Sequence, residues 1–359
     1  IHHCAIDGMS GVKIAEAIHS LRPEDEVDPY EMRPRPRREI GGVEQVARAG
    51  FNNVVKPFQA LLHAGRIAPG ALKYAFGLNR NDFKLFGRTV PRTRFNGVVS
   101  GQRAIESVEV DLADIKKMRA LVPDLTVNDV VLAIVGGALH RYLGSKDELP
   151  DDSLVAMAPV SVRATQESGS LGNQVSAMSI ALGTDIADAH QRLQFTHDSA
   201  MKSKTVSNAV GARELSEMSK LAPAMVSGVA TRLYSRLGLA NQLSPMFNTV
   251  VTNVPGPPVP LYMAGARMVT SCGIGPVMDS MGLFHAITSY CGELRITVTS
   301  CREMLPDPDF YARCLQESID EYKLLASALE AKQKPAKKPR KKAARKRAKK
   351  PQSDHPTLQ

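Results

Sequence analysis

No apolar run in this 359-residue chain approaches the roughly 18 residues that cross a bilayer as a helix, so any membrane contact is expected to be peripheral. Cysteine is scarce and carries no pattern. Cys4, Cys272, Cys291, Cys301 and Cys314 are an odd set with no CxxC pair, which excludes a disulfide framework or a zinc ribbon. With no secretory leader ahead of them, reduced thiols in a cytoplasmic protein are expected. Acidic residues are missing from Lys332 to Lys350, where nine Lys and three Arg carry +12 of a formal total of +10, leaving the rest of the chain at −2. The charge is therefore a property of the tail, and a nucleic-acid-binding body is not indicated. The tail also lacks the apolar residues that would offset the entropy of ordering, so it reads as a disordered extension over 331–359. Such a segment is either simply solvated, or draws on anionic lipid headgroups, nucleic acid or acidic proteins.

What the chain does hold is 43% apolar residues, enough to bury a large core, at a length suited to two or three domains or one two-lobed unit. The opening "IHHCAIDGMSGVKIAEAIHSL" reads as a strand end, a tight turn at Asp7-Gly8 and a helix with Ile14, Ala15, Ile18 and Leu21 on one face. Four prolines among many charges make residues 22–42 an exposed linker. A helical pattern returns over 43–62. The basic, turn-rich "RNDFKLFGRTVPRTRFNG" then leads to a boundary near Ser100, and its arginines are candidates for attracting the phosphates of coenzyme A or for plain solvation.

Beyond that boundary the periodicity becomes regular. "AIESVEVDL" alternates as a strand, "LADIKKMRALV" repeats as a helix, and "TVNDVVLAIVGGALHRYLG" reads as a longer buried helix. Strands are expected at 153–163 and 173–183, helices at 185–203 and 211–238. The last third gives strands at "NTVVTNVPGPP", "ARMVTSCGI", "GLFHAITSY" and "ELRITVTSC", and a helix over 309–329. Mixed strands and helices of this kind argue α/β layers.

His2, His3, Cys4 and Asp7 have the atom types of a metal site, but adjacent strand residues point to opposite faces, so the two histidines cannot converge on one ion. The same alternation suits catalysis. One imidazole can face a channel while its neighbour packs behind it, and a group with an unperturbed pKa near 6.5 can take a proton from a hydroxyl and return it to a leaving group at neutral pH. His3 is the better base; Asp7 is placed to fix the turn that aims it, and Gly8 supplies a backbone conformation few residues tolerate. The blander alternative is a strand-end histidine followed by a helix-capping aspartate. Cys4 has no neighbour that would activate a thiolate. His140, His190, His197 and His285 show no partner pattern.

"HHCAIDG" resembles the HHxxxDG motif of the bacterial wax ester synthase/diacylglycerol acyltransferase family. The resemblance continues in the family's order through "TVNDVVLAIVGGALHRYL", "PVSVR", "LGNQVSAM", "NTVVTNVPGPPVPLYMAGARM" and "YCGELRITVTSCREMLPDPDFYARCL", over most of residues 1–330. It implies the two-lobed α/β fold of the coenzyme A-dependent acyltransferases, with mixed sheets and flanking helices. It also implies transfer of an acyl group from acyl-CoA to diacylglycerol or a long-chain alcohol, acyl-CoA being a co-substrate and no cofactor being bound. Carried over residue by residue, His3 is the general base, His2 a motif partner, and Asp7 and Gly8 the loop-fixing pair. Asn128-Asp129 matches a second family motif, although Thr126 with Asp129 three residues on also reads as a capping box. Asn253, in "TNVPGP", is either an oxyanion donor at a strand end or an ordinary turn asparagine.

Family chains carry a substantial stretch ahead of HHxxxDG. The expectation is therefore an incomplete first lobe over 1–100, loosely held, a well-packed second lobe over 103–330, and little or no acyl transfer by this chain alone. Two alternatives remain at this point: an amide-forming condensation domain, which shares HHxxxDG, and an inactive lipid- or membrane-binding remnant. The expected location is cytoplasmic, with the inner membrane face or lipid droplets as surfaces the basic tail could touch.

Overall fold

Alternation from Arg103 to Asp111 forms the strand β1, which Leu112–Met118 leaves as a short helix. These belong to a computed structural model that describes residues 8–25, 41–51, 90–161, 175–210 and 224–333. In chain order it contains α1 (Gly8–Ile18), α2 (42–51), β1, α3 (Leu112–Met118), α4 (Val127–Gly144), β2 (Val155–Ser161), β3 (Val175–Ala181), α5 (Ala189–Val210) and α6 (Ala224–Arg236). There follow β4 (Thr249–Val254), β5 (Tyr262–Met263), β6 (Ala266–Arg267), β7 (Leu283–Tyr290), β8 (Glu293–Cys301) and α7 (Pro308–Gln333). This is the α/β architecture that the periodicity implied.

Six strands form one mixed sheet in the order β1-β8-β7-β4-β2-β3, while β5 and β6 make a separate two-stranded ribbon. β1/β8, β7/β8 and β2/β3 run antiparallel; β4 lies parallel to both β2 and β7. Alternation sends Leu294, Ile296 and Val298 of β8 into the main core beneath the helices. α4 is buried on every side from Val130 to Leu139, which explains why its sequence is apolar without an amphipathic stripe. Gly136 and Gly137 make that burial feasible. A methyl group on Gly136 would overlap the carbonyl of Leu182, and one on Gly137 would meet Ser318 of α7 and the guanidinium of Arg192.

"ARMVTSCGI" departs from its expected strand. Only Ala266–Arg267 is extended in a ladder, and the chain beyond crosses the other face of the sheet. There Thr288 donates to Ser271 O at 3.0 Å, and Gly273 and Gly275 lie so close to Ala286 and Phe284 that side chains would not fit. An alternating pattern becomes a strand only where a partner edge is open, and both neighbours of β7 are already taken. Leu21 also departs from expectation, since α1 ends at Ile18, and both Ile18 and Leu21 are exposed.

The basic stretch before Ser100 is structural where it is described. Phe95 and Asn96 are fully buried. Arg92 donates to Asn96 O at 2.8 Å and Ala240 O at 2.9 Å, and also to Leu243 O. Arg94 pairs with Glu148 and donates to the Tyr142 hydroxyl at 3.2 Å. These two guanidiniums are therefore occupied holding the 90–100 loop and are not offered to coenzyme A phosphates. Cys272, Cys291, Cys301 and Cys314 are free thiols.

Candidate active site

His2, His3, Cys4 and Asp7 lie outside the described residues, which begin at Gly8, the first residue of α1. The chain that leaves this helix is fastened at once. Ser20 and Tyr262 exchange both backbone hydrogen bonds, at 2.8 and 2.9 Å, and the Ser20 hydroxyl donates to Arg22 O at 2.8 Å. Tyr262 belongs to β5, in the strap that follows Asn253. The segment after the histidine motif and the segment after the candidate oxyanion donor are thus sewn together across some 240 residues of sequence.

Asn253 sits one residue from the end of β4, half-buried, in register with Ile287 of β7. Among the described residues none hydrogen-bonds its side-chain amide. Its backbone is held firmly. Just beyond it Gly256 donates its N–H to the Ser289 hydroxyl at 3.2 Å and passes so close to the Ser289 carbonyl that any side chain would collide. Cys291 N donates to Pro257 O at 3.2 Å. Further along, the Tyr290 hydroxyl accepts from Leu261 N at 3.0 Å and donates to Met268 O at 2.9 Å. These bonds fix the backbone that follows Asn253 at the end of β4.

Asn128 and Asp129 open α4. Thr126 and Asp129 form a complete capping box: Asp129 N donates to the Thr126 hydroxyl oxygen at 3.2 Å, while Asp129 Oδ2 accepts from Thr126 N at 2.9 Å and from its hydroxyl at 2.8 Å. Asp129 Oδ2 accepts a further bond from His197 Nδ1 of α5 at 3.1 Å, and both side chains are buried. The carboxylate is therefore committed to joining two helices. Asn128 is half-buried, and its amide has no partner among the described residues.

His197 was not legible as Asp129's partner, because the two are 68 residues apart and neither flank marks the pairing. Of the other described histidines, His140 is half-buried, His190 exposed and His285 buried. His140 Nδ1 meets Thr184 O at 2.7 Å, and His190 Nε2 meets Leu121 O at 3.2 Å. His285 is fully buried between the Thr249 hydroxyl at 3.0 Å and the Tyr311 hydroxyl at 2.8 Å. Its complete burial drives its pKa down to about 3, so it is a neutral structural imidazole at physiological pH.

Comparison with known proteins covers both halves of the chain. A family model described as the wax ester synthase/diacylglycerol acyltransferase catalytic domain matches residues 1–131, and one described as the WS/DGAT C-terminal domain matches residues 171–323. The Mycobacterium tuberculosis protein tgs2, whose name gives diacylglycerol O-acyltransferase as its expected activity, is 31% identical over 325 residues, covering 89% of this chain and 68% of its own length. A candidate diacylglycerol O-acyltransferase of M. tuberculosis H37Rv is 29% identical over 333 residues, and this chain spans 63% of that relative's length. Among solved structures, the wax ester synthase/diacylglycerol acyltransferase of Marinobacter aquaeolei VT8 has the same fold. It superposes with a TM-score of 0.58 at 24% identity, covering 91% of this chain and 67% of the other.

Proposed function

Because the chain belongs to the wax ester synthase/diacylglycerol acyltransferase family, we propose that it serves as an acyl-CoA-dependent O-acyltransferase acting on diacylglycerol or a long-chain alcohol. The observation that carries this reading is "HHCAIDG" lying inside the residues matched by the family's catalytic-domain model. In the proposed reaction His3 removes the proton of the acceptor hydroxyl as its oxygen attacks the thioester carbonyl. A tetrahedral intermediate forms with negative charge on the former carbonyl oxygen. Collapse expels the coenzyme A thiolate, which His3 protonates, so that ester and free coenzyme A leave and no acyl-enzyme is made. Asn253 is assigned to the oxyanion, its amide at a fixed strand end supporting that role. His2 and Asp7 are assigned to presenting His3, with Gly8 opening the helix that follows.

Acyl-CoA is the proposed partner and co-substrate, with no resident cofactor. The Lys332–Lys350 run is proposed to touch anionic membrane or lipid-droplet surfaces where the acyl acceptor is dissolved. The test is transfer of a labelled acyl group from acyl-CoA to diacylglycerol, hexadecanol and an amine in turn, using this chain with a relative's preceding residues fused ahead of Ile1. His3→Ala is expected to lose about 10²- to 10⁴-fold in kcat, the span typical of a positioned acid-base group. Full turnover by His3→Ala, or exclusive use of the amine, would overturn the reading.

A further inference from the structure

Residues 218–278 contain no Asp or Glu, yet carry Lys220, Arg232, Arg236 and Arg267. In a chain with 23% charged residues, 61 consecutive positions without an acid are unusual. The same stretch concentrates exposed apolar groups: nine of the 18 large exposed apolar side chains among the described residues fall between Leu233 and Met278. Six exposed apolar residues lie around the C-terminal end of α6. Leu233, Leu237, Leu243 and Met246 are joined there by Val98 and Met278 from two adjacent loops.

Hydrogen bonds tie those loops to the helix. The Ser235 hydroxyl donates to Asp279 Oδ2 at 2.6 Å, Val99 N donates to Asp279 Oδ1 at 3.0 Å, and Val98 N donates to Asn241 Oδ1 at 3.3 Å. Ser280 N donates to Gly97 O at 2.8 Å. Asp279, the first acid after the stretch, thus has both oxygens engaged by the protein.

The geometry of α6 orients the patch. At about 100° per residue, Leu233 and Leu237 lie within roughly 40° of each other, and Ser235 lies on the opposite side. Ser235, itself exposed, ties its side of the helix to the loop holding Asp279, and the two leucines lie on the opposite side. Arg232 and Arg236, both exposed, flank the leucines on one side of the helix.

We propose that this surface, centred on Leu233, Leu237, Leu243 and Met246, docks onto an anionic lipid surface. The leucines and Met246 enter the acyl boundary, while Arg232 and Arg236 meet headgroup phosphates. Large exposed apolar patches on soluble proteins mark interaction sites, and an arginine-flanked leucine face free of acids has the composition of an interfacial helix. Negative headgroups match the exposed Arg232 and Arg236, and the one carboxylate tied to this helix, Asp279, already has both oxygens engaged. Among the described residues no helix is long and apolar enough to cross a membrane, so the contact is one of lying on the surface. The assignment is independent of the basic tail and of which alcohol accepts the acyl group.

The chain has no tryptophan, so an introduced one is read without background. Leu237→Trp and Met246→Trp are placed singly in the 359-residue chain, with Leu324→Trp, an exposed position on α7, as the control. Each is mixed with phosphatidylcholine/phosphatidylglycerol vesicles, with and without brominated acyl chains. At positions 237 and 246 the emission is expected to shift to the blue and be quenched by bromine, also in 1 M salt, where a Debye length of about 3 Å silences the tail. Position 324 is expected to stay solvent-like. Replacing both Leu233 and Leu237 by Ser is expected to weaken vesicle partitioning about tenfold or more. Spectra at 237 and 246 that ignore vesicles, even when the chain floats with them, would overturn the proposal and leave the tail as anchor. A blue shift that appears without vesicles as protein concentration rises would also overturn it, in favour of a second copy as occupant. If either variant loses its far-UV circular dichroism, Leu233→Trp takes its place.

Discussion

Asp129→Ala separates scaffold from chemistry in the Asn128-Asp129 motif, because among the described residues three hydrogen bonds converge on one carboxylate oxygen. Asp129 Oδ2 accepts from Thr126 N, the Thr126 hydroxyl and His197 Nδ1 at 2.9, 2.8 and 3.1 Å. Losing the capping box costs about 1 kcal/mol. Leaving the buried His197 ring nitrogen without its acceptor adds about 1–3 kcal/mol. The sum, about 2–4 kcal/mol, corresponds to a fall in Tm of roughly 5–12 °C in a body of this size. Thermal unfolding followed by circular dichroism measures it, alongside Thr126→Ala, which leaves the His197 bond in place and is expected to cost only about 1 kcal/mol. His197→Ala completes a double-mutant cycle with Asp129→Ala, and a coupling of about 1–2 kcal/mol is expected between two buried groups in direct contact. An Asp129→Ala variant that melts with the wild type, or a cycle that closes at zero, would refute the inter-helix role and return the motif to the chemistry.

Gly136→Ala and Gly144→Ala are expected to have opposite signs. Gly136 has the Leu182 carbonyl against it, so the methyl forces a shift costing about 1–3 kcal/mol that outweighs the gain in helix propensity. Gly144 has open space around it, and Ala there is expected to stabilise by up to about 1 kcal/mol in urea unfolding. His285 sets a pH dependence. Burial lowers its pKa from 6.5 to about 3, so in that window the unfolded chain takes up a proton that the folded one refuses. Stability contributed this way is intact above about pH 6.5 and declines as pH falls, by up to about 1.4 kcal/mol per pH unit. Replacing His285 by Gln is expected to flatten that slope in denaturant titrations between pH 4 and 7; an unchanged slope would count against the buried neutral imidazole.

The elements most legible in the sequence were those whose signals are local: an alternation, a cap, or an unbroken apolar run. β8 was expected at 293–301 and occupies Glu293–Cys301 because its inward residues are a plain alternation; α4 was expected from its Thr-x-x-Asp start and unbroken apolar run. What could not be read was decided by residues far away. β1 finds its partner about 180 to 200 positions downstream, Arg103 lying opposite Cys301 and Asp111 opposite Glu293. His197 finds Asp129 across two helices. "ARMVTSCGI" alternates like a strand but meets a sheet whose edges are elsewhere. Arg92 and Arg94 read as surface cations, yet their guanidiniums are used up on carbonyls, a carboxylate and a phenol inside the fold. Of the candidate site, Asn253's fixed strand end and the Thr126–Asp129 cap could be followed into the structure, while His2, His3 and Asp7 fall outside the described residues.

The strand order has a consequence for how the chain is made. Among the described residues β1 hydrogen-bonds to β8 alone, and the two are separated by about 180 residues, which a ribosome adding 5–20 residues per second supplies in roughly 10–40 s. Throughout that interval Ala104, Val108 and Val110 have been translated without the strand they will lie against. Of the helices packed on β1, only α3 is made by then, since α7 follows β8, so the nascent chain must hold that segment against α3 or lend it to a chaperone until Glu293–Cys301 emerges. The arrival of Glu293–Cys301 therefore governs whether β1 is rescued from pairing with a neighbouring chain.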